Sequence, residues 1–331
     1  AVTFTNKAAR EMKERVQAML GPAADGVTLG TFHAIAARIL RQESARIGLN
    51  PRFVIYDDDD SLSLIVREMK TLNLDSKQYP PKIIRLRISA AKARLEGPAE
   101  FAAHSYLEEV TKRVYERYQK AMEDSNALDF DDLLMRAVRL FREHKAVLTR
   151  YQNRYVHVMI DEFQDTNLAQ YTLARQLAGK YRNLCVVGDP DQSIYSWRFA
   201  DLRHILDFER DYPDAKVTVL EQNYRSTKTI IEAATILISA NEQRWVKRLR
   251  TQNEEGPLLQ ILETFNEQEE AQFVVSEIER LVIKHGYKVG DCAVMYRTNA
   301  QSRALEEAFS RYGFPYKLVG ATRFYERREI K

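Results

Sequence analysis

Two adjacent carboxylates, Asp161 and Glu162, follow the apolar run VHVMI. A buried strand ending there would deliver both acids to one sheet edge. Asp161 is placed to hold Mg²⁺ through water, because Mg²⁺ sheds its hydration reluctantly. Glu162 is placed to orient and polarise an attacking water. Alone, the pair is only moderately specific, since two acids after a strand are often a solvated turn. The next apolar run, NLCVVG, ends in Asp189-Pro190-Asp191-Gln192. A glutamine at a neighbouring strand end can hydrogen-bond a γ-phosphate or the attacking water and so report hydrolysis to the residues after it. Those residues are Ser193-Ile194-Tyr195-Ser196-Trp197-Arg198, where aromatics beside an arginine suit stacking on unpaired bases. Tyr195 and Trp197 are two residues apart and so share no helical face, which argues against core packing. A third junction, Glu221–Thr227, puts Tyr224 and Arg225 just ahead of a helix that Ser226 would cap. Arg225 could serve there as an arginine finger on a transferring phosphoryl group, and Tyr224 could stack on a base. An ordinary exposed arginine is the alternative. Phe4, with Thr5 or Asn6 as a helix cap, and Thr31, Phe32 and His33 stand at two further junctions; a lone histidine is usually structural, but His33 shares the sheet edge with Phe4 and Trp197, which suits a phosphate or base contact.

Placing these groups together requires a particular kind of scaffold. Each junction joins a short β-branched run to an amphipathic helix, a rhythm that predicts a parallel α/β sheet. Ligands of such sheets bind beyond the carboxyl ends of the strands, where these residues sit. The rhythm breaks over residues 58–127, whose three long amphipathic runs predict an all-helical insertion. It returns from about residue 257: LLQILETF, a helix through Val282, CAVMYRT, the helix AQSRALEEAFSRYG, then YKLVG. The acidic run Asp57–Asp60 is expected at a helix N-terminus, where the dipole favours it over a metal role.

The 331 residues, 45% of them hydrophobic, suffice for about two domains. Twelve glycines and nine prolines are few, as in a helix-rich chain. Fifty basic against 47 acidic residues leave a net charge of only +3, so nucleic-acid binding must rest on local sites. Cys185 and Cys292 lie in separate apolar runs, which predicts buried, inert thiols, excludes a CxxC metal motif and suits a reducing cytoplasm. No apolar run approaches the ~18 residues of a membrane span, and no signal peptide is expected.

TFTNKAA, GTFH, LDFDDLL, IDEFQDTN, VGDPDQSIYSWR, EQNYRST and YRTNAQSR occur here in the order found in superfamily 1 DNA helicases of the UvrD/Rep/PcrA type, which the whole chain resembles. The resemblance implies two RecA-like P-loop NTPase domains that bind ATP and Mg²⁺. The expected organisation is a first motor domain over 1–57 and 128–222, a helical subdomain over 58–127 and the start of a second motor domain over 223–331. It implies ATP-dependent 3′→5′ movement on single-stranded DNA with duplex separation, single-strand/duplex junctions as substrates, repair or replication proteins as partners, and a cytoplasmic, nucleoid-associated setting. By motif match Asp161 would serve Mg²⁺, Glu162 the water, Gln192 the coupling of nucleotide to DNA grip, Arg225 the γ-phosphate and Tyr224 the adenine. Phe4, Thr31, His33, Tyr195, Trp197 and Arg198 would line the DNA track, joined by Arg297 and Asn299 from the second domain. Lys82, Arg85, Arg87, Lys92 and Arg94 either touch duplex or form a solvated helix face. Phe199 stands where the family usually carries glycine. No GxxxxGK[ST] pattern occurs in the chain, and the phosphate-cradling loop is expected ahead of Ala1. Both ends read as cuts through a larger protein, and this piece is expected to be catalytically incomplete. A non-catalytic single-strand or partner-binding module is the contrasting reading, against which stands the retained phosphoryl-transfer set. A helicase–nuclease subunit of the RecB or AddA kind is a further alternative.

Overall fold

The structure is a computed structural model that describes residues 1–241, 244, 245 and 247–319. The chain divides into two compact units, one of residues 1–223 and 233–251, the other of residues 224–232 and 252 onward.

In the first unit, strand β1 (Val2–Thr3) leads into helix α1 (Asn6–Leu20), and β2 (Gly30–Thr31) leads into α2 (Phe32–Gln42). Thr5 and Thr31 start these helices, their hydroxyls accepting the N–H groups of Ala8 and Ala34 at 3.1 and 3.3 Å. Strand β3 (Val54–Tyr56) then opens a helical segment of α3 (Asp58–Thr71), α4 (Pro81–Ala93) and α5 (Tyr106–Asp124). Strand β4 (Ala127–Asp129) closes it, pairing parallel with β3. The chain continues through α6 (Phe130–Glu143), α7 (Lys145–Arg154), β5 (Val158–Ile160), α8 (Leu168–Ala178) and β6 (Leu184–Val186). Two single-turn helices come next, α9 (Arg203–Leu206) and α10 (Phe208–Asp211). Strands β1, β2, β5 and β6 form one parallel sheet in the order β2-β1-β5-β6. Helical crossovers join them, as parallel pairing requires.

Ile39, Leu40, Leu133, Ala137, Phe141 and Leu173 pack with Val158 and Ile160 in the main core, bringing α2, α6 and α8 onto one face of the sheet. Strand residues alternate sides, so Met159, Cys185 and Val187 fall on the other face and are exposed. The expected burial of Cys185 is thereby corrected: its strand is covered on one side only. Cys292 is half-buried. A separate core of Ile65, Met69, Ile84, Val114, Tyr115 and Met122 holds α3, α4 and α5 together. The run Asp57–Asp60 makes a capping box on α3, with Asp57 Oδ1 accepting the Asp60 N–H at 2.8 Å and Asp60 Oδ2 the Asp57 N–H at 3.3 Å.

The basic stretch of α4 is not a free cationic face. Lys92 is fully buried, 2.6 Å from Asp129 and 2.9 Å from Asp132. Arg85 pairs with Asp58, Arg87 with Glu108 and Arg94 with Glu96, while Lys82 is exposed. Lys92 therefore cannot touch a duplex.

β7 (Gln222–Asn223) pairs parallel with β8 (Arg250–Thr251), with α11 (Lys228–Ile238) between them in sequence. The second unit contains α12 (Glu267–His285) and α13 (Ser302–Arg311), joined through Val275, Ile278 and Phe309. The strands expected over LLQILETF, CAVMYRT and the described part of YKLVG are absent, as is one over Val217–Leu220. A strand persists only where a second strand takes up its backbone groups, and among the described residues none lies in register with these runs. Their apolar side chains stand in solvent, Ile261 fully and Met295 at 93%.

Candidate active site

The carboxyl ends of the four sheet strands converge on one edge. Asp161 follows β5, its N–H donating to the Val2 carbonyl at 2.9 Å, which locks the acid beside β1. Glu162 takes the left-handed conformation, φ 53°, which turns the chain sharply and ends the strand. A short 3₁₀ turn, Phe163–Asp165, buries Phe163, Gln164 and Asp165 before α8 begins at its Asn167 cap.

Gln164 is a residue that the motif pattern does not single out. Its amide Nε2 donates to Glu162 Oε2 at 2.8 Å, and its Oε1 accepts the Asp189 N–H at 3.1 Å. Burial pushes the Asp165 carboxyl up and Glu162 adds to the rise, while the backbone N–H groups of Ile194 and Tyr195 favour the charged form. The acids after β5 are thus tied to the loop after β6. In that loop Asp189 Oδ1 accepts the Asp191 N–H at 3.0 Å, and Gln192 Nε2 donates to Asp189 Oδ2 at 2.8 Å. Burial would raise Asp189, but Lys247 and Gln192 outweigh it and hold the carboxyl below its usual range. Lys247 pairs with both Asp189 and Asp191, and Arg244 reaches Asp191 at 3.0 Å. Both cations lie more than fifty residues downstream, so no local motif announces them.

The aromatic residues also assemble. The rings of Phe4 and Tyr195 lie 4.6 Å apart and those of Tyr195 and Trp197 6.0 Å apart. The Arg198 guanidinium lies 4.6 Å from the Trp197 ring centre and 5.8 Å from that of Tyr195. Trp197 is 56% exposed, so its face is open to a partner. Burial pushes His33 down to about 4, with Arg198 adding to the shift, so the imidazole is neutral at pH 7. It meets Phe130 edge-on at 5.8 Å. Phe130 opens α6 and stays 46% exposed, an apolar side chain in LDFDDLL to which the sequence pattern assigns no role. Thr31 is buried, and its hydroxyl accepts the Ala34 N–H at the start of α2, which leaves its own O–H to donate.

Phe199 has φ 64°, a left-handed conformation that a side chain with a Cβ resists. Glycine suits that position, so the backbone keeps the conformation expected for the usual residue while this chain places a phenylalanine there.

The remaining predicted residues belong to the second unit. Tyr224 and Arg225 are exposed ahead of α11, with Asn253 donating to the carbonyls of Tyr224 and Ser226 at 3.4 and 3.0 Å. The helix begins at Lys228, which places Thr227 rather than Ser226 at its cap position. The Arg297 N–H donates to Gln301 at 3.0 Å, and Arg297 and Asn299 are both exposed near the start of α13.

The family described as the UvrD/REP helicase N-terminal domain matches residues 1–213, and that of the UvrD-like helicase C-terminal domain matches residues 218–331. The chain is 50% identical to the ATP-dependent DNA helicase PcrA of Bacillus subtilis, over all of this chain and 45% of that relative. It is 48% identical to the protein of the same name from Staphylococcus aureus and 47% to that from Staphylococcus epidermidis, again over its whole length and 46% of theirs. The chain spans about half the length of the curated relatives it matches.

Proposed function

The chain belongs to the UvrD/REP helicase family, and from that membership we propose that it forms much of the motor core of an ATP-dependent DNA helicase that moves 3′→5′ on single-stranded DNA and opens duplex at junctions. The observation that carries the proposal is the tie from Glu162 through Gln164 to the loop that bears Gln192, Tyr195 and Trp197. One buried amide joins the hydrolytic acid to the DNA-stacking surface, as a motor that converts phosphate chemistry into grip requires. A binding module would have no use for that connection.

In this reading residues 1–57 and 128–222 form the first motor domain, 58–127 a helical subdomain and 223–331 the start of the second motor domain. Glu162 orients the attacking water, and Gln192 senses the γ-phosphate. Arg225 stabilises charge on the transferring group, and Tyr224 stacks on the adenine. Asp161 fits Mg²⁺ as a single carboxylate at the strand end, because that ion retains most of its waters and takes its other ligands from phosphate. The ion would neutralise phosphate charge. Phe4, Tyr195 and Trp197 stack on bases, joined by His33 and Phe130, and Arg198 contacts phosphate or base faces. Arg297 and Asn299, of the second motor domain, are further DNA contacts. The work is set in the cytoplasm, near the nucleoid, with repair or replication proteins as partners.

Three measurements test this. In a chain of the relatives' length that contains these residues, Glu162→Gln should lower DNA-stimulated ATP hydrolysis at least 100-fold, and equal turnover sinks the reading. In the 331-residue chain, which has no GxxxxGK[ST] pattern, hydrolysis should not exceed that of its Glu162→Gln variant. Trp197→Ala should weaken oligo(dT) binding by about 1–3 kcal/mol, the worth of one stacked base. Unchanged affinity would remove the stacking assignment.

A further inference from the structure

We propose that Gln164 is a positioning residue: it fixes the Glu162 carboxylate and the loop of residues 189–198 to one another, so that hydrolytic and DNA-gripping parts move as one body. This rests on the functional reading above and adds a residue to it. Gln164 is 1% exposed, and both ends of its amide are engaged, Nε2 on Glu162 and Oε1 on the Asp189 N–H. An amide suits this place because it donates at one end and accepts at the other. A carboxylate would repel Glu162, and a hydrocarbon would leave the Asp189 N–H without its acceptor.

The surroundings make the amide's position unambiguous. A Cβ on Gly188 would lie 2.7 Å from Gln164 Oε1, 2.9 Å from Ile205 Cδ1 and 3.1 Å from the Phe163 N. Only the bare backbone of glycine lets β6 run close enough for the bond. The Phe163 N–H donates to the Val187 carbonyl at 2.9 Å, so the two strand ends are held on either side of the amide. Glu162, in its left-handed turn, has its carboxylate facing back to Gln164, two residues on. The loop on the far side is itself rigid, because Asp189 holds the Asp191 N–H and the Gln192 amide. A shift of Gln192 towards or away from a phosphate therefore pulls on Glu162 through a path of three hydrogen bonds.

Gln164→Ala and Gln164→Glu test the proposal with two readouts. In the 331-residue chain, hydrogen exchange of a peptide covering 187–195 should quicken at least 10-fold in Gln164→Ala, with α8 and the α3–α5 core unchanged. In a chain of the relatives' length, Gln164→Ala should lower kcat at least 10-fold while KM for ATP moves less than 3-fold. Gln164→Glu can still accept the Asp189 N–H but cannot donate to Glu162. It should keep slow exchange and lose turnover, a split that a purely structural side chain would not produce. Turnover of Gln164→Ala within 2-fold of the parent overturns the proposal, as does Gln164→Glu with full turnover. If parent and Glu162→Gln turn over equally, the hydrolytic reading fails instead. Exchange then decides on Gln164 by itself, and unchanged protection overturns the tie.

Discussion

Phe199 holds a left-handed backbone at φ 64°, immediately after the Trp197–Arg198 pair. That conformation costs roughly 1–2 kcal/mol for a residue with a Cβ. Phe199→Gly should therefore stabilise the chain by about 1 kcal/mol, read as a higher urea midpoint at unchanged slope. A lower midpoint would mean that packing of the ring outweighs the strain. Chemistry-bearing residues are legible in the sequence where they adjoin one another, as Asp161–Glu162 and Tyr195–Arg198 do. Gln164 sits inside the same motif, but its role emerges only once the Asp189 N–H is seen to approach from the next strand. Arg244 and Lys247 are illegible, because their acids lie fifty residues away and nothing local links them. Thr31 has the sequence position of a ligand contact, at a strand end, and its hydroxyl also caps a helix, a second duty legible from the helix that follows it.

At the scale of elements, α4 owes its place to Lys92. Burial alone would push that ammonium down, but Asp129 and Asp132 outweigh it and hold it well above the ordinary lysine range. Tyr118 also donates to Asp129, at 2.8 Å, and Asp129 caps α6. Neighbouring Asp131 is pushed up to about 7 by burial and by the charge of Asp129. One buried lysine thus joins α4 and α5 to the start of α6. Lys92→Ala strands two buried acids without their counter-charge and should cost about 3–5 kcal/mol, the range for a broken buried pair. A thermal midpoint within 2 °C of the parent would refute this. The helices of this region are legible from their 3.6-residue period, and so is the Asp57 start of α3. Strand β4 is not, since three residues, Ala127–Asp129, are too few for an alternation to show. The extended runs beyond residue 257 show the reverse case. Their β-branched composition reads as strand, but composition expresses a preference and a ladder needs a second strand.

Among the described residues, a lopsided feature is the β5–β6 part of the first unit's sheet, packed by helices on one face and exposed on the other. Met159 and Val187 are each 51% exposed there, beside the exposed Cys185. A net charge of only +3 offers little repulsion between copies. The native chain should therefore bind a hydrophobic dye such as ANS, and Met159→Lys should reduce that signal without lowering the thermal midpoint by more than a few degrees. Dye binding that first appears on unfolding would contradict the exposed face. A different asymmetry arises from Gly188, where a single methyl group would press on Gln164, Phe163 and Ile205 together. A survey of this molecule by alanine substitution looks for side chains whose removal matters. Here it would score an addition, and position 188 would rank beside the acids although it contributes no functional group. On any map of sensitive positions, the sheet edge that carries Asp161 and Glu162 would look one residue larger than its functional groups.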